Sequence, residues 1–266
     1  MGLTTKGRIP QFQGNLRAIV PTPTFSGRLT SDPADSINPN TGLGPGTGGS
    51  GISFDDVNNP NTQPANVVAL SPARQAAGST TFVSSDGNYT WTPTSGGIQW
   101  SDTVPSQFGS TSLYFPDGGY LFLNPSADFQ IDTGTDFTIE LWYYDPTNAV
   151  RRVAGISNNN NFQFHLNAGF NFFADHSSFQ TFGSREQDAW THLAISRQGT
   201  TKRYFKNGVL ENTVNDTSGT LGNSSGQLWL GNAVSAENFA GGYIDGFRIV
   251  KGTALYTANF TPGDIQ

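Results

Sequence analysis

The sequence contains no cysteine, which excludes a disulfide framework, a zinc–thiolate site and a thiol nucleophile. It has no apolar run of about 18 residues, so no membrane-spanning helix is expected. The N-terminal MGLTTKGRIPQF carries no apolar stretch behind its charges, so no signal peptide is expected either. Charged residues are scarce, at 13%, and the net charge of −6 gives no footing for general nucleic-acid binding. Helical periodicity is missing as well, since no window keeps apolar residues at i, i+3, i+4 and i+7 for three turns. Glycine (32) and phenylalanine (20) are abundant instead. That balance belongs to a turn-rich all-β protein, because disorder goes with few aromatics and high charge.

The clearest pattern lies between Phe137 and Leu210. Phe137, Ile139, Leu141 and Tyr143 alternate with Thr138, Glu140, Trp142 and Tyr144, the period-two spacing that puts one set of side chains on each face of a strand. The set containing Leu141 is expected inside and Thr138 on the tolerant outer face. Thr191, Leu193 and Ile195 repeat the alternation with His192, Ala194 and Ser196. KRYFKNGVL then returns the chain through Asn207-Gly208, which supplies the positive φ angles of a type I′ hairpin turn. Ile244, Phe247 and Ile249 are expected in the core. Trp91 and Trp100 are read as packed side chains rather than sugar-stacking platforms.

SLYFPDGGYLFL (112–123), DFTIELWYY (136–144), AWTHLAISRQGTTKRYFKNGVL (189–210), LWLGN (228–232) and GGYIDGFRIVKGTALYTANFTP (241–262) occur in one order along the chain. Together they resemble a laminin-G-like domain of the concanavalin-A-like lectin/glucanase superfamily, most of all the variants in virion proteins of marine bacteriophages. The resemblance implies an all-β, two-sheet antiparallel jelly-roll sandwich over 77–266, closed by a returning segment around Leu255, Tyr256 and Phe260. Ahead of it, residues 1–76 are predicted to form an extended Gly/Pro/Asn-rich attachment arm. Residues 1–31 hold Lys6, Arg8, Arg17 and Arg28 with no carboxylate. With Phe12 and Phe25 these are the expected contacts to a partner of opposite charge.

Glycoside hydrolysis needs two carboxylates facing each other across a cleft, about 5 to 9.5 Å apart. The glucanases that the chain resembles carry theirs as a Glu-x-Asp-x-(x)-Glu run, whereas Glu140 is followed by LWYYD, so no catalytic residue is assigned. His165, His176 and His192 lack the spacing of a zinc helix. GLGPGTGGSG opens no helix and reads as a linker. The resemblance also implies that calcium, the one cofactor considered, can sit at the rim on Asp and Asn oxygens. Asp117, Asp132, Asp136 and Asp175 are the candidate ligands, near Asn167 and Asn171, although turn formation alone explains such residues. Asp245 reads as structural. Tyr143, Phe170, Phe172, Phe173 and Phe179 are the candidate carbohydrate-binding aromatics.

The leading functional expectation is a non-enzymatic bacteriophage virion protein, a capsid decoration or tail appendage made in the host cytoplasm. It docks through the arm on other virion proteins or copies of itself and displays a lectin-like domain. The alternatives are a dedicated adhesin for cell-surface polysaccharide and a glycoside hydrolase of the same superfamily. Neither nucleic acid nor a membrane is an expected partner.

Overall fold

A computed structural model of the chain describes residues 63–64, 66–147, 149–156, 162–167, 169–175, 178–216, 219–232, 239 and 241–266, with only the backbone for 170, 172–175 and 178. In chain order the strands are β1 (Val67–Leu70), β2 (Thr92–Pro93), β3 (Gln99–Ser101), β4 (Ser112–Phe115), β5 (Leu121–Leu123) and β6 (Gln130–Ile131). There follow β7 (Phe137–Tyr144), β8 (Arg151–Ile156), β9 (Gln163–Leu166), β10 (Phe170–Asp175), β11 (Ser178–Ser184) and β12 (Trp190–Gln198). The last are β13 (Thr201–Lys206), β14 (Val209–Asn215), β15 (Leu221–Gly222), β16 (Leu228–Leu230) and β17 (Gly242–Lys251). One short 3-10 turn at Ala127–Phe129 interrupts them. Among the described residues no helix is long and apolar enough to cross a membrane.

Apart from the short β6–β15 pair, the described strands form two antiparallel sheets. One has the order β14-β13-β12-β7-β17-β4-β3, with β1 also paired to β17; the other has the order β11-β10-β9-β8-β16-β5-β2. Their facing sides make one core, in which Phe137, Ile139, Leu141, Leu193, Ile195, Phe247 and Ile249 of the first sheet meet Leu121, Leu228, Leu230, Ile156 and Phe164 of the second. This is the predicted two-sheet sandwich. Trp91 and Trp100 are buried, and their indole N–H groups donate to Leu70 O at 2.8 Å and Thr81 O at 3.1 Å.

β7 differs from a half-exposed strand because its second face is covered too. Thr138, Glu140 and Trp142 are as buried as the inward set. Residues 252–266 lie over them: the Thr138 hydroxyl donates to Thr253 O and accepts from Leu255 N (3.1 and 2.8 Å), and Trp142 Nε1 donates to Gly263 O at 3.0 Å. The expectation that Thr138 lies on a tolerant outer face is corrected accordingly. The returning tail crosses a sheet face. Its course also explains the Asn207-Gly208 turn, whose φ angles are 49° and 76°. A Cβ on Gly208 would sit 1.9 Å from Phe260 O, so only glycine suits both the turn and the tail above it.

The sandwich begins earlier than residue 77. Val67, Ala69 and Leu70 pair with Val250, Ile249 and Arg248 of β17, and Ala69 and Leu70 are fully buried. The segment 66–76 therefore belongs to the domain and not to an arm, because Ala69 joins the core with Val68 packed against it and Leu70 is buried beside it. All described residues fall within one unit, Asp55–Gln266. Lys6, Arg8, Phe12, Arg17, Phe25 and Arg28 lie outside the described residues.

Candidate functional site

Glu140 and His192, which invite a catalytic reading, are enclosed. Glu140 is fully buried, with Arg248 Nε 2.6 Å from one carboxylate oxygen, and His192 Nε2 (3.0 Å) and the Tyr256 hydroxyl (2.9 Å) on the other. Burial alone would raise its pKa, but Arg248, His192 and Tyr256 outweigh that and hold it at about 2. The same burial, reinforced by the Glu140 charge, pushes the Tyr256 phenol far up. His192 packs between Trp142 and the tail residue Phe260, with ring centroids 5.0 and 5.7 Å away. Glu140 thus anchors the tail.

Asp245 is likewise structural. A register shift in β17 between Ile244 and Phe247 turns it toward Arg74, whose Nε and second terminal nitrogen reach its two oxygens at 2.7 and 2.8 Å. Arg74 also grips Asp264 of the tail at 2.6 and 2.9 Å. Gly246 permits the shift, since its φ is +116° and a Cβ there would meet Ile265 at 2.5 Å.

The outer face of the larger sheet leaves one strip of a different character. The register aligns Gln99 of β3, Tyr114 of β4, Tyr243 of β17, Tyr144 of β7 and Trp190 of β12 in a single row across five adjacent strands. Adjacent strands are about 4.8 Å apart, so same-face residues in register must touch. The ring centroids follow at 5.2 Å (Tyr114–Tyr243), 6.0 Å (Tyr243–Tyr144) and 5.8 Å (Tyr144–Trp190). Tyr114, Tyr144 and Trp190 are half-buried and Gln99 is exposed. Trp190 Nε1 is fixed on Pro105 O at 2.9 Å, and Asp188 Oδ1 lies 3.5 Å from the Tyr144 hydroxyl. Partial burial and then the neighbouring phenols raise the Tyr243 pKa, and for Tyr144 the second cause is Asp188. Both phenols therefore stay neutral at physiological pH within the row. It offers apolar ring surface edged with hydroxyls, an amide and a carboxylate.

The predicted aromatics divide. Tyr143 is wholly buried and its hydroxyl donates to Asn171 Oδ1 at 2.7 Å, so it is a core residue and not a binding one. Its chain neighbour Tyr144 holds the outward position. Phe179 is 65% exposed on the edge strand β11. For Phe170, Phe172 and Phe173 the backbone alone is described: Phe172 pairs with His165 and Phe173 with the core residue Phe164, which sets those two positions on opposite faces. The outward side of the second sheet carries a shorter aromatic group, Trp229 with Phe122 in register and Tyr120 at 4.9 Å, bounded by Gly155.

Among the described residues the candidate calcium ligands do not converge. Asp117 is exposed in the β4–β5 turn. Asp132 accepts from Gln130 Nε2 (2.9 Å) and Asp136 from Gly199 N (2.7 Å), around the Arg197 guanidinium, which takes the carbonyls of Asp132 and Thr135. The side chain of Asp175 lies outside the described residues. Among the described residues no three His, Cys, Asp or Glu side chains assemble as a metal site.

A model of the concanavalin A-like lectin/glucanases superfamily matches residues 115–257. No curated protein matches. Among solved structures, the binding domain of Paraclostridial Mosquitocidal Protein 1 superposes with a TM-score of 0.56 at 15% identity, covering 72% of this chain and 50% of that one. The receptor binding domain of botulinum neurotoxin D gives 0.53 at 10% identity, again over 72% and 50%. The chain thus spans about half the length of these toxin domains. Domain 4 of AbnA, a GH43 extracellular arabinanase from Geobacillus stearothermophilus, in complex with arabinotriose, gives 0.50 at 18% identity over 64% and 86%. At such identities the likeness is one of fold. The chain belongs to the concanavalin A-like lectin/glucanases superfamily.

Proposed function

We propose that the domain is a non-enzymatic carbohydrate-binding module whose site is the row Tyr114–Tyr243–Tyr144–Trp190. The observation that carries this reading is the row itself, four aromatic side chains from four adjacent strands in one register line, the outermost of them half-buried. A sugar ring has an apolar face of C–H groups and a rim of hydroxyls. Tyrosine and tryptophan match both parts, since each joins a large apolar surface to a polar end. Gln99 and Asp188 flank the strip and can select orientation, the task of a few placed polar groups in such sites. A non-enzymatic role is supported by the seclusion of Glu140, whose oxygens are already taken by Arg248, His192 and Tyr256.

The test is glycan-array binding followed by calorimetry, with arabinotriose as the first soluble probe because it accompanies the AbnA domain. Tyr114→Ala combined with Tyr144→Ala should weaken binding at least tenfold while the thermal midpoint stays within a few degrees. Binding unchanged in that variant but lost in Trp229→Ala would move the site to the second sheet.

The setting we propose is a bacteriophage particle, with the module displayed as a capsid decoration or tail appendage and attached through the N-terminal segment holding Lys6, Arg8, Phe12, Arg17, Phe25 and Arg28. The likeness of the chain's motifs to virion proteins and the basic character of that segment support this setting. Full-length chain should co-sediment with particles lacking it, and a chain starting at Gln63 should not. Retention of the shortened chain would assign attachment to the sandwich.

A further inference from the structure

Beside the aromatic row, the rim of the sandwich gathers oxygens around a single positive group. Arg185 directly follows β11, and its side chain is 1% exposed. One terminal nitrogen donates to Ala149 O at 2.6 Å and Asn167 O at 3.3 Å; the other donates to Thr147 O at 2.7 Å and to Asp145 Oδ2. The second Asp145 oxygen accepts from Thr147 N and Oγ1 at 2.8 and 2.9 Å, which fixes the carboxylate in place. Arg185 N closes the set on Gly169 O at 3.1 Å. Three carbonyls and one carboxylate from two separate loops therefore point at one guanidinium.

Hard oxygens, one of them anionic, are the donors that calcium takes. Left without a cation, Oδ2 of the buried Asp145 carboxylate and the partly buried carbonyls would lack a donor, an arrangement folded proteins avoid. Arginine meets the need differently, because its planar fork stays charged and directs separate N–H bonds to separate acceptors.

We propose that Arg185 is a tethered cation that does a bound metal's work at this rim. It joins the β7–β8 and β9–β10 loops, so the fold needs no calcium there, and the cage it fills becomes a binding site for a free guanidinium-type ion when its side chain is shortened. Asp145 follows Tyr144 directly, and its carbonyl accepts from Asp188 N at 3.1 Å. The cage therefore also seats Tyr144, an inner member of the aromatic row, although its own role does not depend on whether that row binds a glycan.

The test is thermal unfolding of full-length wild type, Arg185→Ala and Arg185→Lys in calcium, in EDTA, in methylguanidinium chloride and in sodium chloride of equal ionic strength. Wild type should unfold at the same temperature in calcium and EDTA. Arg185→Ala should unfold at lower temperature than Arg185→Lys, which keeps a charge but loses the fork. Methylguanidinium should raise the Arg185→Ala midpoint by a few °C above the sodium chloride control, as expected for a ligand at several times its dissociation constant. Should Arg185→Ala fail to fold, its refolded yield with and without methylguanidinium is the readout, and a yield restored by methylguanidinium alone supports the proposal. A wild-type midpoint raised several degrees by calcium overturns it. So does Arg185→Ala as stable as Arg185→Lys, or a rescue no better than that by sodium chloride.

Discussion

The Tyr256 hydroxyl donates to Glu140 Oε2 at 2.9 Å, joining residues 116 positions apart in the chain. Glu140 sits in the middle of β7 and Tyr256 in the closing tail, so one carboxylate links the central strand to the segment that covers it. Removing a partner should cost according to the charge it leaves behind. Arg248→Met strands a buried anion and is expected to cost about 3–5 kcal/mol. Tyr256→Phe removes the hydrogen bond to that charge and a longer one accepted from Arg248 at 3.4 Å, a loss of about 1–3 kcal/mol. Urea unfolding of both variants measures this order, and a costlier Tyr256→Phe would show that the tail depends on its hydroxyl more than the carboxylate depends on its cation.

The same cluster sets an acid limit. With Glu140 held at about 2 in the folded state, against an ordinary value of 4.5, folding favours the ionised form. The resulting stability is fully present above about pH 4.5 and is lost as pH falls toward 2, by about 3 kcal/mol at most. Glu140→Gln, which cannot ionise, should be less stable at neutral pH and show a flatter decline over that window. Parallel decline in both proteins would place acid sensitivity elsewhere.

Alternation in the sequence was enough to read the strands, the inward set of β7 and the Asn207-Gly208 hairpin, whereas the two-sheet sandwich came from the family resemblance. It also held the answer for Tyr143, whose parity with Phe137, Ile139 and Leu141 places it inside, and for Tyr144, which it places outside. A strand's side chains switch face at every residue, so a choice one position off inverts the assignment. The row itself was not legible, because Tyr114, Tyr243, Tyr144 and Trp190 become neighbours only through the register of four strands distant in sequence. Nor was the burial of Thr138 and Glu140. Period-two reading says which residues share a face, and not that a tail of 15 residues (252–266) covers the second one.

That cover makes a prediction about β7 opposite to the one alternation suggests. Leu141→Ala should cost about 2–5 kcal/mol, the range for large-to-small changes in packed cores. Thr138→Ala should no longer be nearly free. It leaves Leu255 N without its acceptor in a covered site, which costs about 1–3 kcal/mol. Chemical denaturation of the two variants tests this, and a Thr138→Ala cost within error of zero would mean that the tail lies loosely on the strand.

Arg74 gives the last test, because it holds two carboxylates that would otherwise repel. Asp245 is 1% exposed and Asp264 14%. Burial raises the Asp245 pKa even in the intact protein, and Arg74 is the main group pulling it back down. In Arg74→Met that restraint is gone, so the folded-state pKa of Asp245 must rise further above its unfolded value. A raised carboxyl pKa favours folding in the protonated form. The variant should therefore be weakest at pH 7.5 and regain part of its loss at pH 5, whereas Asp245 in wild type keeps its cation at both. The neutral-pH cost is expected near 3–5 kcal/mol, as for a buried pair broken from one side. A chain starting at Ala77 should lose more than Arg74→Met, since it also lacks β1 and the Ser71 N bond to Phe247 O at 2.7 Å. Urea midpoints at the two pH values decide the matter. An equal cost at pH 5 and 7.5 would show that the Asp245 charge is neutralised by something other than Arg74.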